Sequence, residues 1–545
     1  MDPTVISGQI VDVTNQKIFP GEVSFRDGII ETIKQKAKAD SQFILPGLID
    51  AHIHVESSML VPEEFAKLAV RHGTVGTVSD PHEIANVLGI EGVEYMLENA
   101  RRTLFKFSFG APSCVPASAF ESSGAVLGVK EVEALLRHPE IKSLAEMMNF
   151  PGVLNKDDVV MAKIAIAREL GMVIDGHAPG LRGEDARKYA EAGISTDHEC
   201  FTVEEALDKI KYGMKIAIRE GSAAKNFDAL VELFDQHPDV IMFCSDDKHP
   251  DDLLLGHINQ LVSRAVKLGK DPITVLRAAT YNPVKHYDLP VGLLRVDDPA
   301  DLIVVDSLED MRVKETYIDG RLVAKDGKDL LPAAKPSIIN NFNRDRISLN
   351  DLTLKCATPK ARVIEIIPGQ LMTNELILSP KRQGDEVVSD PERDILKLVV
   401  VNRYDPGAPP AVALVNGAGL KRGAVASSVA HDSHNIVATG VNDSDIMAAI
   451  NLVIENKGGL ALVDGSNREI LKLPVAGLMS TESGEEVAAQ YTRLKQGANA
   501  LGSELESCYM ALSFLALSVI PRIKLTDQGL FNGEKFELVE LEVTT

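Results

Sequence analysis

Between residues 47 and about 290 one pattern repeats eight times: a short apolar run, then an amphipathic helical stretch. The runs are FILPGLIDAHIHV, TVGTVSD, LFKFSFGAPS, KSLAEMMNF, MVIDGHAPG, ISTDHECF, MKIAIREGS and VIMFCSDDKHP. Helical stretches separate them, beginning with PEEFAKLAVRHG, which carries proline in its first turn, and a helix over 83–103. Strands joined by helical crossovers pair in parallel, and eight such units close into a (β/α)8 barrel. The sequence therefore predicts an α/β fold with a TIM-like barrel. An open doubly wound sheet is the alternative, but no GxGxxG follows the first run, so a dinucleotide-binding reading is weak.

The flanks have a different texture. Residues 1–46 alternate apolar and polar positions around turn glycines, and ADLIVVD with VKETYIDGRLVAKDG repeats that chemistry after the barrel. We expect 1–46 and 291–330 to pair into a small β-sandwich flanking a 47–290 barrel. A polar linker near 328–350 leads to a C-terminal α/β domain over 345–545. Three domains suit a 545-residue chain at about 150 residues each. The apolar run ALSFLALSVI at 511–520 is too short to span a bilayer and reads as a buried helix.

Charge and cysteine content narrow the partners. The 79 acidic and 57 basic side chains leave a formal charge of −22, which argues against a phosphate-gripping nucleic-acid surface. No basic segment followed by an apolar stretch opens the chain, so no secretory signal is expected. Cys114, Cys200, Cys244, Cys356 and Cys508 are scattered without a CxxC pair, as expected for reduced thiols in a cytoplasmic protein. A homo-oligomer is the default assembly.

The polar residues of the barrel region gather where the strands end, at the rim where barrel active sites are built. His52 and His54 are two residues apart, so their side chains share one face of the first strand. The fourth strand ends near Glu146, the fifth at His177, the sixth at His198 and the eighth at Asp246. Four histidines and two carboxylates on one rim can hold two divalent metals, with a carboxylate between them. His72, His138, His237, His257 and His286 read as structural. SDPHE after the second strand adds Asp80, His82 and Glu83. Asp80 reads as a helix cap, whereas Glu83 is either a cap or a polar contact to substrate. Asp247 and His249 are candidates for orienting the ligands. His431, Asp432 and His434 in AHDSHN form a second cluster: another metal site, a cover for the active site, or a solvated turn. Ser433 beside them does not make a catalytic triad, since adjacency is not triad geometry. His54-Val55-Glu56 fits the HxE half of a zinc nucleobase deaminase, but PCxxC is absent, which rejects that design.

PGLIDAHIHVESS, His177, His198 and the SD of CSDD resemble the metal-dependent amidohydrolase superfamily. Within it, SSMLVPEEFAKLAVRHGTVGTVSDPHEIANVLG, LAEMMNFPGV, DGHAPGL, TDHEC, CSDDKHPDDL and SVAHDSHNIVATG resemble the adenine deaminase family of bacteria and archaea. The resemblance spans essentially the whole chain. It implies Glu146 rather than Lys142 between the metals, manganese or iron ahead of zinc as cofactors, and adenine and water as substrates. It further implies that a water activated by the metals attacks C6 while Asp246 carries the proton, giving hypoxanthine and ammonia. Glu83 is the candidate contact to the base. Two alternatives remain, a cyclic amidase of the dihydropyrimidinase or dihydroorotase kind and an inactive amidohydrolase-like scaffold.

Overall fold

A computed structural model describes residues 2–332 and 336–543. The chain divides into two compact units. The first comprises Met1–Pro81, Glu94–Ser113 and Gly128–Lys335, and the second His82–Val93, Cys114–Leu127 and Pro336–Thr545.

The first unit holds the eight parallel strands of the barrel: β1 (Leu48–Ile53), β2 (Thr74–Ser79), β3 (Lys106–Ala111), β4 (Ile141–Met147), β5 (Val173–Gly176), β6 (Thr196–Asp197), β7 (Lys215–Arg219) and β8 (Ile241–Cys244). Neighbours pair in chain order, β1 through β5 in one arc and β6 through β8 in another. Backbone hydrogen bonds join the arcs. Ser195 N donates to Ile174 O at 2.9 Å beside β5 and β6, and Asp246 N donates to His52 O at 2.9 Å where β8 meets β1. The strands read as continuous apolar runs because both faces are covered; every residue of β1, β2 and β8 is buried.

The helices follow their local signals. Asp157 accepts from Val159 N and Val160 N to cap Asp158–Glu169, and the Thr202 side chain accepts from Glu205 N to cap Val203–Lys211. The single helix expected over 83–103 is instead two, His82–Leu88 and Ile90–Ala100. Gly89 between them lies at φ 63°, a left-handed conformation that ends a helix.

Beside the barrel, one eight-stranded sheet draws on both ends of this unit. Phe43–Pro46 pairs in parallel with Thr4–Asp12 and antiparallel with Leu302–Val305, Ile303 lying opposite Leu45. Ile10, Val23, Phe25, Ile44, Leu302 and Val304 form its core.

The second unit is built on an eight-stranded sheet with Ile395–Val401 and Ile436–Gly440 near its centre. Helix Asp443–Glu455 packs Ile446, Ile450 and Val453 onto Val399, Ala426, Ala438 and Ala461. Helix Gly484–Ala500 starts with a capping box between Ser483 and Glu486. The helix expected within 511–520 ends at Phe514, and the carbonyl of Leu515 instead accepts from Leu525 N at the start of a hairpin. Among the described residues no helix is long and apolar enough to cross a membrane.

One consequence for stability follows from His286, whose Nε2 lies 3.2 Å from Ser195 Oγ. Burial, with Lys215 adding to it, pushes this imidazole down from 6.5 to about 4. The folded protein thus keeps it neutral where the unfolded chain takes up a proton. Its contribution is complete above pH 6.5 and is lost as the pH falls toward 4, amounting to roughly 2 kcal/mol between pH 7 and pH 5. Urea unfolding of His286→Gln at the two pH values should show a correspondingly shallower acid limb than that of the parent chain.

Candidate metal centre and a second histidine cluster

In the first unit the strand ends converge on Glu146. Its Oε1 lies 3.5 Å from His54 Nε2, and its Oε2 lies 3.7 Å from His52 Nε2, 3.2 Å from His198 Nε2 and 3.0 Å from His177 Nδ1. Asp246, following β8, places Oδ1 3.5 Å from His52 Nε2 and 3.1 Å from His54 Nε2. One carboxylate thus meets the β1 histidines together with those of β5 and β6, while the other faces the β1 pair.

Backbone and side-chain hydrogen bonds aim these groups. His54 Nδ1 donates to the Asp80 carbonyl at 3.0 Å, which leaves the Nε2 lone pair facing the two carboxylates. His52 and His198 stack with ring centroids 4.0 Å apart. Tyr189 donates from its hydroxyl to Met147 O at 2.7 Å and accepts from His177 N at 3.0 Å, tying β4 to the end of β5. Asp50 accepts from Ser245 N at 3.0 Å and lies 2.8 Å from His257 Nε2, whose Nδ1 is 2.8 Å from Thr74 Oγ1. That chain braces β1 against the start of the β8 loop.

Two further residues of the site escaped sequence reasoning. The Arg219 guanidinium at the end of β7 donates to Asp246 Oδ2 at 2.6 Å and to both oxygens of Glu199. Glu199 Oε1 lies 3.4 Å from His198 Nε2 and 3.7 Å from His177 Nδ1. The rim argument that selected the ends of strands 1, 4, 5, 6 and 8 applies equally to the seventh, and Glu199 directly follows His198. Those were the available signals.

The donors fit a divalent cation. His52 Nε2 and His198 Nε2 are buried, facing Glu146 without the geometry of a hydrogen bond. Burial alone would raise the Glu146 carboxyl, yet His177, His198 and His54 hold it well below the usual range. Asp246 is likewise held down against burial by Arg219 and the β1 histidines. His198, which burial would lower, is pushed up to about 10 by Glu146 and Glu199. Glu199 and Asp246 thus share one guanidinium while imidazoles hold Glu146, and the field among these three buried carboxylates favours added positive charge. Asp247 and His249 stand in the adjoining loop. Asp247 accepts from Ser57 Oγ at 2.5 Å, and the backbone N of buried His249 donates to Ser222 Oγ at 2.9 Å.

The second unit gathers the other candidates. Glu83, in the first turn of His82–Leu88, has Oε1 against His431 Nδ1 and Oε2 2.5 Å from His434 Nε2. His82 Nε2 lies 3.5 Å from Glu83 Oε1 and 3.8 Å from Asp432 Oδ1. All five side chains are buried, so the AHDSHN turn is not solvated.

Gly176 gives a test of the barrel rim. A Cβ there would lie 2.2 Å from Thr196 O and 2.7 Å from Ile194 Cγ2, so alanine forces β5 away from β6 and His177 away from His198. Gly176→Ala should lower bound metal by half or more, measured by elemental analysis, and destabilise the chain by about 1–3 kcal/mol in thermal melts.

Comparison with known proteins agrees with this architecture. The amidohydrolase family model matches residues 43–323, and the adenine deaminase C-terminal domain model matches residues 370–537. Proteins named adenine deaminase are 52% identical in Salinibacter ruber and 51% identical in Methanosarcina mazei, covering 98% of this chain and 98% of each relative. One from Borreliella burgdorferi is 45% identical over 99% of this chain and 100% of its own length. The chain therefore belongs to the amidohydrolase family, in the branch whose curated members are named adenine deaminase.

Proposed function

We propose that the protein hydrolyses adenine to hypoxanthine and ammonia. The observation that carries this reading is the end-to-end match to proteins named adenine deaminase, C-terminal domain included. The cyclic amidase alternative gives no account of that domain. A free purine carries no phosphate, so a protein of net charge −22 needs no basic cradle to receive it.

In this reading His52, His54, Glu146, His177, His198 and Asp246 hold two divalent ions, manganese or iron before zinc. When bound, such ions lower the pKa of water and polarise the atom under attack. Glu146 suits the position between them, because its two oxygens face different histidines. Asp246 is the proton carrier. Its Oδ1 is turned to the β1 histidines and Oδ2 is anchored by Arg219, which keeps the carboxylate ionised and oriented. Water oxygen bonds to C6 and Asp246 takes the released proton. It returns that proton to the substrate as the bond from C6 to the exocyclic nitrogen breaks, and ammonia departs.

Ultraviolet spectra of adenine with protein reconstituted in Mn²⁺ or Fe²⁺ should show conversion to hypoxanthine, with ammonia released in equal amount. Unchanged adenine beside ring opening of a hydantoin or dihydropyrimidine would transfer the protein to the cyclic amidases. For Asp246→Asn we expect retained metal and a turnover number lower by about 100- to 10,000-fold; near-parental turnover would remove Asp246 from the proton path.

A further inference from the structure

We infer that Glu121 is held in the second unit as a neutral carboxylic acid, its proton closing a ring of hydroxyls, and that this acid is a latch released in alkali.

Glu121 is 4% exposed, and its hydrogen-bond partners are hydroxyls. Its Oε1 lies 3.2 Å from Ser118 Oγ and 2.7 Å from Ser518 Oγ, and the two serine oxygens lie 2.7 Å from one another. Three contacts need three protons. A hydroxyl carries a single O–H, so the serines supply two, and an ionised Glu121 leaves one side of the triangle between facing lone pairs. A proton on Oε1 completes it: Glu121 donates to Ser118, Ser118 to Ser518, and Ser518 back to Glu121.

The other carboxyl oxygen points the same way. Glu121 Oε2 is buried without a hydrogen-bond partner. An anionic oxygen in that condition loses its hydration with nothing in return, whereas the carbonyl of a neutral acid loses far less.

The nearby charge also opposes an anion. Asp432 and Ser433 face Glu121 from the 431–434 turn, and Ser518 faces it from the segment after helix Cys508–Phe514. Asp432, the charged group among these, is a second buried carboxylate; its Oδ2 has no hydrogen-bond partner, and its Oδ1 lies 3.8 Å from His82 Nε2. Burial, with Asp432 adding to it, pushes the Glu121 carboxyl up from 4.5 to about 8.

The ring joins the 118–121 turn to Ser518, 397 positions along the chain from Glu121. The folded state binds this proton more tightly than the unfolded chain does. Its contribution is therefore complete below pH 4.5 and is lost as the pH rises toward 8. Above that, two carboxylates stand together, the ring lacks its third proton, and the 118–121 turn is freed from Ser518.

The test is urea unfolding of the intact chain at pH 6 and pH 9, beside Glu121→Gln, whose amide has the shape of the acid and does not ionise. Across that interval the parent's unfolding constant should rise by about 100-fold more than the variant's. Equal changes in the two chains overturn the inference. If Glu121→Gln does not fold, Ser518→Ala decides, by infrared titration of the folded protein beside the parent. Loss of a donor to Oε1 should move the midpoint of a protonated-carboxyl band upward, and spectra in which no such band moves overturn the inference.

Discussion

A carboxylate sealed beneath a barrel rim must be met by positive charge, and in this protein that demand is concentrated on Glu146. It is 2% exposed, and desolvation alone would push its proton affinity upward. Imidazoles from β1, β5 and β6 reverse that by surrounding both oxygens. The arrangement lasts only if the strand ends are held in register, so much of the surrounding structure serves registration. The β8–β1 closure through Asp246 and His52, the Tyr189 link between β4 and β5, and the Asp50–His257–Thr74 chain all act at those ends.

Arg219 answers the same demand on the opposite side. Its guanidinium is fully buried, an expensive position for a permanent cation unless it is paired. Glu199 and Asp246 pair it, and in doing so Asp246 acquires a defined direction. The second unit repeats the logic at smaller scale, Glu83 lying between His431 and His434 as Glu146 lies among its histidines.

The barrel histidines were legible because alternation along a strand and the rim rule are local statements. His52 and His54 are two positions apart on one strand, and His177, His198 and Asp246 each follow an apolar run. Position within the run also separated Glu146 from Lys142. The lysine at the start of β4 reaches outward to the Pro139 carbonyl at 2.7 Å, whereas Glu146 near its end is buried. Arg219 and Glu199 went unread because a charged residue at a strand end resembles a solvated one until its partners are known. The stretch 83–103 reads as one helix because apolar periodicity carries across Gly89, whereas backbone conformation does not.

By itself, the sequence determined the alternation of strand and helix, the number of barrel strands and the residue types offered at their ends. Those properties depend on side-chain periodicity within a few residues. Tertiary structure alone decided which donors share an oxygen and which charges lose water together. Glu83 could be read equally as a helix cap or a contact to substrate; its imidazole partners lie 348 and 351 positions away. Coulombic and hydrogen-bond energies follow distance in space, and pairings at that separation exist only once the chain has closed on itself.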